Sequence, residues 1–68
     1  MHVYKLYFKG DSESRKIKEL AKDHHLRGYW GTDNDGYYLF TRSEEDLMIK
    51  DLESYGVSEV KDIGPVTD

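Results

Sequence analysis

The stretch Tyr29-Trp30-Gly31-Thr32-Asp33-Asn34-Asp35-Gly36-Tyr37-Tyr38-Leu39-Phe40-Thr41 decides the fold. Asp33-Asn34-Asp35-Gly36 is a turn signal, because Asn, Asp and Gly tolerate the positive φ that tight hairpin turns use. Tyr29–Thr32 and Tyr37–Thr41, on its two sides, are rich in aromatic and β-branched residues. Such residues suit a pleated, half-buried ribbon. Residues 29–41 therefore read as a β-hairpin.

Working outward, residues 2–9 alternate. Tyr4, Leu6 and Phe8 fall on one side, and Val3, Lys5, Tyr7 and Lys9 on the other. Period two marks a strand with one buried face. Gly10 and Asp11 break it. Ser12 or Ser14 can accept the first free N–H groups of a helix, and Asp11 and Glu13 suit the positive end of its dipole. Ile17, Leu20, Ala21 and His24 then recur at helical spacing. Gly28 is the expected left-handed cap. Beyond the hairpin, Ser43-Glu44-Glu45-Asp46 resembles a capping box with Asp as its final member, which predicts a second helix from Ser43. Leu47, Met48, Leu52 and Tyr55 would be its buried stripe, and Gly56 its cap, with Val57 folding back. Residues 58–63 read as a last strand. Val60 and Ile63 are out of phase there, which predicts an edge strand with a bulge. Pro65 cannot donate to a ladder and should end it.

The order β-α-β-β-α-β resembles the ferredoxin-like fold, an α+β sandwich. That resemblance covers residues 2–63. It implies a four-stranded antiparallel sheet, order 4-1-3-2, with both helices on one face and the other face open.

The chain has 68 residues, read as a single domain spanning 1–68, with a net charge of −4 and no cysteine. Without thiols, neither a disulfide nor a thiolate metal site supplements a small core. Residues 1–27 carry +3 and residues 28–68 carry −7. That polarity keeps a small domain soluble, and a dipolar surface also orients a partner. No apolar run approaches the ~20 residues of a membrane span. The opening residues do not read as a signal peptide, and a cytoplasmic protein with no membrane association is expected.

Six tyrosines and one tryptophan are the candidate functional residues. One face of one small sheet cannot bury all of them, and ring-bearing surface left in water serves recognition. If Leu6 and Phe8 face the helices, Lys5, Tyr7 and Lys9 face away. On the returning strand, Phe40 is the largest wholly apolar residue. The expectation is Tyr38 and Phe40 inward, with Tyr37 and Leu39 outward. One of Tyr29 and Trp30 joins them.

Leu6-Tyr7-Phe8-Lys9-Gly10 and Asp35-Gly36-Tyr37-Tyr38-Leu39-Phe40 resemble the first- and third-strand motifs of the RNA-recognition-motif family. The resemblance implies that Tyr7 and Tyr37 stack on bases. Asp35 stands where that motif carries a basic residue, and Leu39 replaces its second ring. The acidic balance opposes a phosphate backbone. Ordinary cross-strand pairing of Tyr7 with Tyr37 needs no ligand at all.

Other chemistries fit less well. An EF-hand reading of Asp33–Gly36 requires an acid at Gly31 and a glutamate at Arg42. His24 and His25 are adjacent, so on a helix they point ~100° apart and do not converge on a metal. They read as one half-buried and one exposed histidine. Glu44, Glu45, Asp46, Asp51 and Glu53 suit a solvated helix, with mimicry of nucleic acid as a further use. Some ferredoxin-like domains hydrolyse acyl phosphates through an Arg and an Asn. Here the one asparagine, Asn34, is in the hairpin turn. No nucleophile–base set is visible.

The sequence thus predicts a non-enzymatic binding module with no cofactor and no metal. Its interaction surface would be Lys5, Tyr7, Lys9, Tyr29, Trp30, Tyr37 and Leu39. The expected partner is a protein or a second copy of the chain. Single-stranded nucleic acid and an acidic inhibitor role are the alternatives.

Overall fold

The computed structural model describes residues 1–10 and 14–66. The element order is β1 (His2–Phe8), α1 (Ser14–Asp23), β2 (Arg27–Asp33), β3 (Gly36–Ser43), α2 (Ile49–Leu52), a 3-10 turn (Glu53–Tyr55) and β4 (Val57–Pro65). The sheet is antiparallel with order β2-β3-β1-β4. This is the ferredoxin-like arrangement. The capping roles read for Asp11, Ser12 and Glu13 lie outside the described residues.

Tyr4, Leu6 and Phe8 of β1 meet Leu39 of β3, Leu20 of α1, Leu52 of α2 and Val57 of β4 in one apolar cluster. Leu26 and Leu47 close it from the connecting segments. Both helices therefore cover one sheet face, as the alternation in residues 2–8 requires. The hairpin forms as read, with Asp33 opposite Gly36. Only Gly36 of the turn takes a positive φ, 124°. Asp33 fixes the turn differently, its Oδ1 accepting the Asp35 N–H at 2.8 Å.

β4 carries the expected bulge and a second one. Tyr4 pairs with Asp62 and Val3 with Gly64, so Ile63 is the extra residue. Tyr7 pairs with Glu59 and Phe8 with Val57, so Ser58 is another. The strand ends at Pro65.

Three expectations are corrected. The first concerns Gly28, which does not cap α1. His25 takes the left-handed conformation, φ 54°, in a Schellman arrangement. Leu26 N–H donates to the Ala21 carbonyl and His25 N–H to that of Lys22. Gly28 lies inside β2, where a Cβ would stand 1.9 Å from the Phe40 carbonyl oxygen. Close backbone approach, not a cap, explains that glycine. His24 is half-buried and His25 exposed.

Second, no helix starts at Ser43. β3 runs on to Ser43, which pairs with His2. The Ser43 hydroxyl accepts the Glu45 N–H at 3.2 Å. Leu47 enters the core from a non-helical segment, and Met48 is extended (φ −110°, ψ 137°) and exposed. One turn of helix follows. A nucleus that short is held by burial of Leu52 rather than by propensity.

Third, the phase of β3 is opposite to the expected one. Leu39 is 2% exposed and faces the helices, while Tyr38 and Phe40 face away. The register forces this. Leu6 lies directly opposite Leu39, and directly paired residues share a face.

Candidate interaction surface

On the open face, β1 presents Lys5 and Tyr7, β3 presents Tyr38, Phe40 and Arg42, and β2 presents Arg27, Tyr29 and Asp33. At the hairpin end these side chains satisfy one another. Lys5 Nζ lies 2.7 Å from Asp33 Oδ2, and the Tyr7 hydroxyl donates to the same oxygen at 2.6 Å. Lys5 Nζ sits 4.3 Å from the centre of the Tyr38 ring and 5.2 Å from that of Tyr7. Lys61 of β4 also lies over the Tyr7 ring, at 5.1 Å, and Tyr38 meets Tyr7 edge-on at 5.8 Å. The Lys5 ammonium is held above the usual lysine range, chiefly by its hydrogen bond to Asp33 and then by that to Tyr7. The Asp33 carboxyl is held well below the usual carboxylate range by the Lys5 and Tyr7 hydrogen bonds.

Glycine makes this cage possible. A Cβ on Gly31 would stand 2.7 Å from the Tyr38 hydroxyl, so the bare backbone of β2 is the floor on which that ring lies. The outcome for Tyr7 differs from the expectation. It faces away from the helices, yet it is only 2% exposed, sealed by two lysines and a neighbouring ring.

The rings left in water belong to the β2–β3 hairpin. Tyr29 is 80% exposed and lies directly opposite Phe40, also exposed, on the open face. Beside them Arg27 lies opposite Arg42. Like charges directly opposed repel, and among the described residues neither guanidinium has an ion-pair partner.

On the helix side of the same hairpin, Trp30 and Tyr37 stack with centroids 5.3 Å apart and planes 11° from parallel. Phe8 contacts both, at 5.6 and 6.4 Å. Trp30 and Tyr37 are each 42% exposed. They border a groove of about 460 Å³ whose other walls include Ile17 and Lys18 of α1 and Lys9.

The predicted surface is thus divided. Lys5, Tyr7 and Tyr29 share the open face. Trp30, Tyr37 and Lys9 stand at the groove on the other side, and Leu39 is core. Tyr29, not Trp30, is the residue that joins the open face. Tyr37 is not opposite Tyr7; Tyr38 is. Tyr38, Phe40, Arg42 and Asp33 also lie on the open face, and the sequence reading did not place them there. One signal was available. Tyr38, Phe40 and Arg42 share a strand face, and turning that face inward would bury an unpaired arginine.

Among the described residues no three His, Cys, Asp or Glu side chains converge as a metal site. No helix among them is long and apolar enough to cross a membrane. No protein-family model matches this sequence, and no curated protein or solved structure matches it either.

Proposed function

We propose that this chain is a non-catalytic protein-interaction module and that the β2–β3 hairpin is its contact surface. One observation carries the reading. Tyr29, Phe40, Trp30 and Tyr37 are all exposed on this hairpin, whereas the Tyr7–Lys5–Tyr38 cage consumes its own binding capacity. Aromatic anchors with arginines at hand are what protein contacts concentrate energy in. The partner is a protein chain, the module's own copy included.

A photo-crosslinking residue at position 29 tests this in the native cell. Adducts with a protein chain are expected there and not from the same residue at Lys22, which is exposed on α1. Equal yields at the two positions would contradict the reading.

Arg27 and Arg42, beside Tyr29 and Phe40 and with no ion-pair partner among the described residues, favour a second reading, a short anionic strand whose bases stack on those rings. It predicts quenching of Trp30 or tyrosine fluorescence by oligonucleotides, weakening steeply with salt. No quenching at low salt removes it.

A further inference from the structure

The two edges of the sheet are unequal. β4 is defended, since it has bulges at Ser58 and Ile63, it carries Lys61, and it ends on Pro65. Gly64 N–H is turned to the Asp62 carboxylate at 2.9 Å. These devices keep other strands from pairing with an edge. β2, at the opposite edge, has no bulge, no proline and no lysine, and its charged residues, Arg27 and Asp33, stand only at its ends. It runs seven residues, Arg27–Asp33, paired without interruption to β3 on one side only. Its outward N–H and C=O groups are an open template for another strand.

The sequence of that edge is complementary to itself. In an antiparallel pair of two identical strands, residues meet when their numbers add to a constant. To keep both helical layers on the same side, odd residues must meet odd and even meet even. Centring the two-fold axis on Trp30 satisfies this and pairs all seven residues. Arg27 then lies opposite Asp33 of the second copy, Gly28 opposite Thr32, and Tyr29 opposite Gly31. Sliding the axis to Tyr29 or to Gly31 shortens the pairing and breaks the Arg27–Asp33 match. In the preferred register Arg27, which faces only Arg42 within its own sheet, gains the carboxylate of Asp33, itself already hydrogen-bonded to Lys5 and Tyr7. The two Trp30–Tyr37 stacks come together on the helix side.

We infer that β2 pairs antiparallel with β2 of a second copy, centred on Trp30, to make one continuous eight-stranded sheet. The pairing rests on the hairpin as the interaction surface and names its occupant. It closes on itself, so it makes a dimer and not a fibre.

The test is a charge swap at the axis, with mass followed by light scattering and analytical ultracentrifugation. The unaltered chain should rise from monomer to dimer mass in a dilution series reaching ~1 mM. Trp30→Lys and Trp30→Glu should each remain monomeric, because residue 30 meets its own like charge. An equimolar mixture of the two should regain the dimer, since unlike charges then face each other. Far-ultraviolet circular dichroism establishes that both variants are folded. A native chain that stays monomeric throughout overturns the self-pairing, and so does a mixture that remains monomeric or single variants that dimerise. Position-29 adducts with a different protein, from a chain that is monomeric here, would overturn this pairing alone and leave the hairpin reading standing.

Discussion

Lys5 and Asp33 meet at 2.7 Å although they lie on strands that do not touch, with β3 between them. The lysine reaches across the face of Tyr38 to do so. This bridge ties the hairpin tip to the central strand. Tyr29 and Phe40 take no part in the bridge and stay exposed.

That bridge sets a pH dependence. Asp33 has a lower pKa folded than unfolded, because Lys5 and Tyr7 donate to its anion. Its contribution is therefore complete above the unfolded carboxylate range, ~4, and is lost as pH falls through the depressed folded value. Asp62, lowered mainly by its contact with His2, has the same sign. Lys5 is raised, so its contribution is complete below ~10.4 and is lost as pH rises through the folded value. Urea unfolding followed against pH should show a plateau between these limits. Asp33→Asn should lower the plateau and flatten the acid limb.

Two glycines of β2 should differ from a third elsewhere. Gly28→Ala places a methyl against backbone and should cost ~1–3 kcal/mol. Gly31→Ala meets only the end of the Tyr38 ring, so a smaller loss is expected, along with changed near-ultraviolet circular dichroism. Gly10→Ala meets nothing within 4 Å and should fall within ~0.5 kcal/mol of the native chain. Chemical denaturation ranks the three.

His25 holds a left-handed conformation at φ 54° while its side chain is exposed. Glycine adopts that conformation without a Cβ penalty, so His25→Gly should stabilise the fold by ~1 kcal/mol. A higher urea midpoint with an unchanged slope checks it. An unchanged or lower midpoint would mean that the imidazole supplies more than the strain costs.

Leu39 and Phe40 are neighbours with opposite roles. Leu39→Ala should cost ~2–5 kcal/mol, a large fraction of the stability of a domain this small. Phe40→Thr keeps strand propensity on the exposed face and should shift stability by under ~1 kcal/mol. It should still weaken partner capture. The reverse ranking would restore the opposite strand phase.

The sheet order, the hairpin and the bulged last strand were legible because each rests on local chemistry. Turn residues mark the hairpin, alternation marks β1, and the broken phase of Val60 and Ile63 marks a bulge. The phase of β3 was obscured because Tyr37, Tyr38, Leu39 and Phe40 are all large, so local pattern does not rank them. Cross-strand register, a long-range property, decides it through Leu6 and Leu39. The second helix was over-read because a capping pattern at Ser43 is cheap in sequence, whereas burial of Leu47 from an extended segment has no local signature. The candidate site was half legible. Exposed rings were foreseen, but the cage that withdraws Tyr7 depends on Asp33 and Lys61 arriving from other strands.

Dilution of isotope-labelled protein, followed by amide and indole chemical shifts, tests most directly where the working surface lies. If β2 pairs with β2 of a second copy, concentration moves the signals of residues 27–33 and the Trp30 indole, while those of β4 stay fixed. Shifts that gather on the Lys5–Tyr7–Tyr38 cage or along β4, with the hairpin edge unmoved, would contradict it.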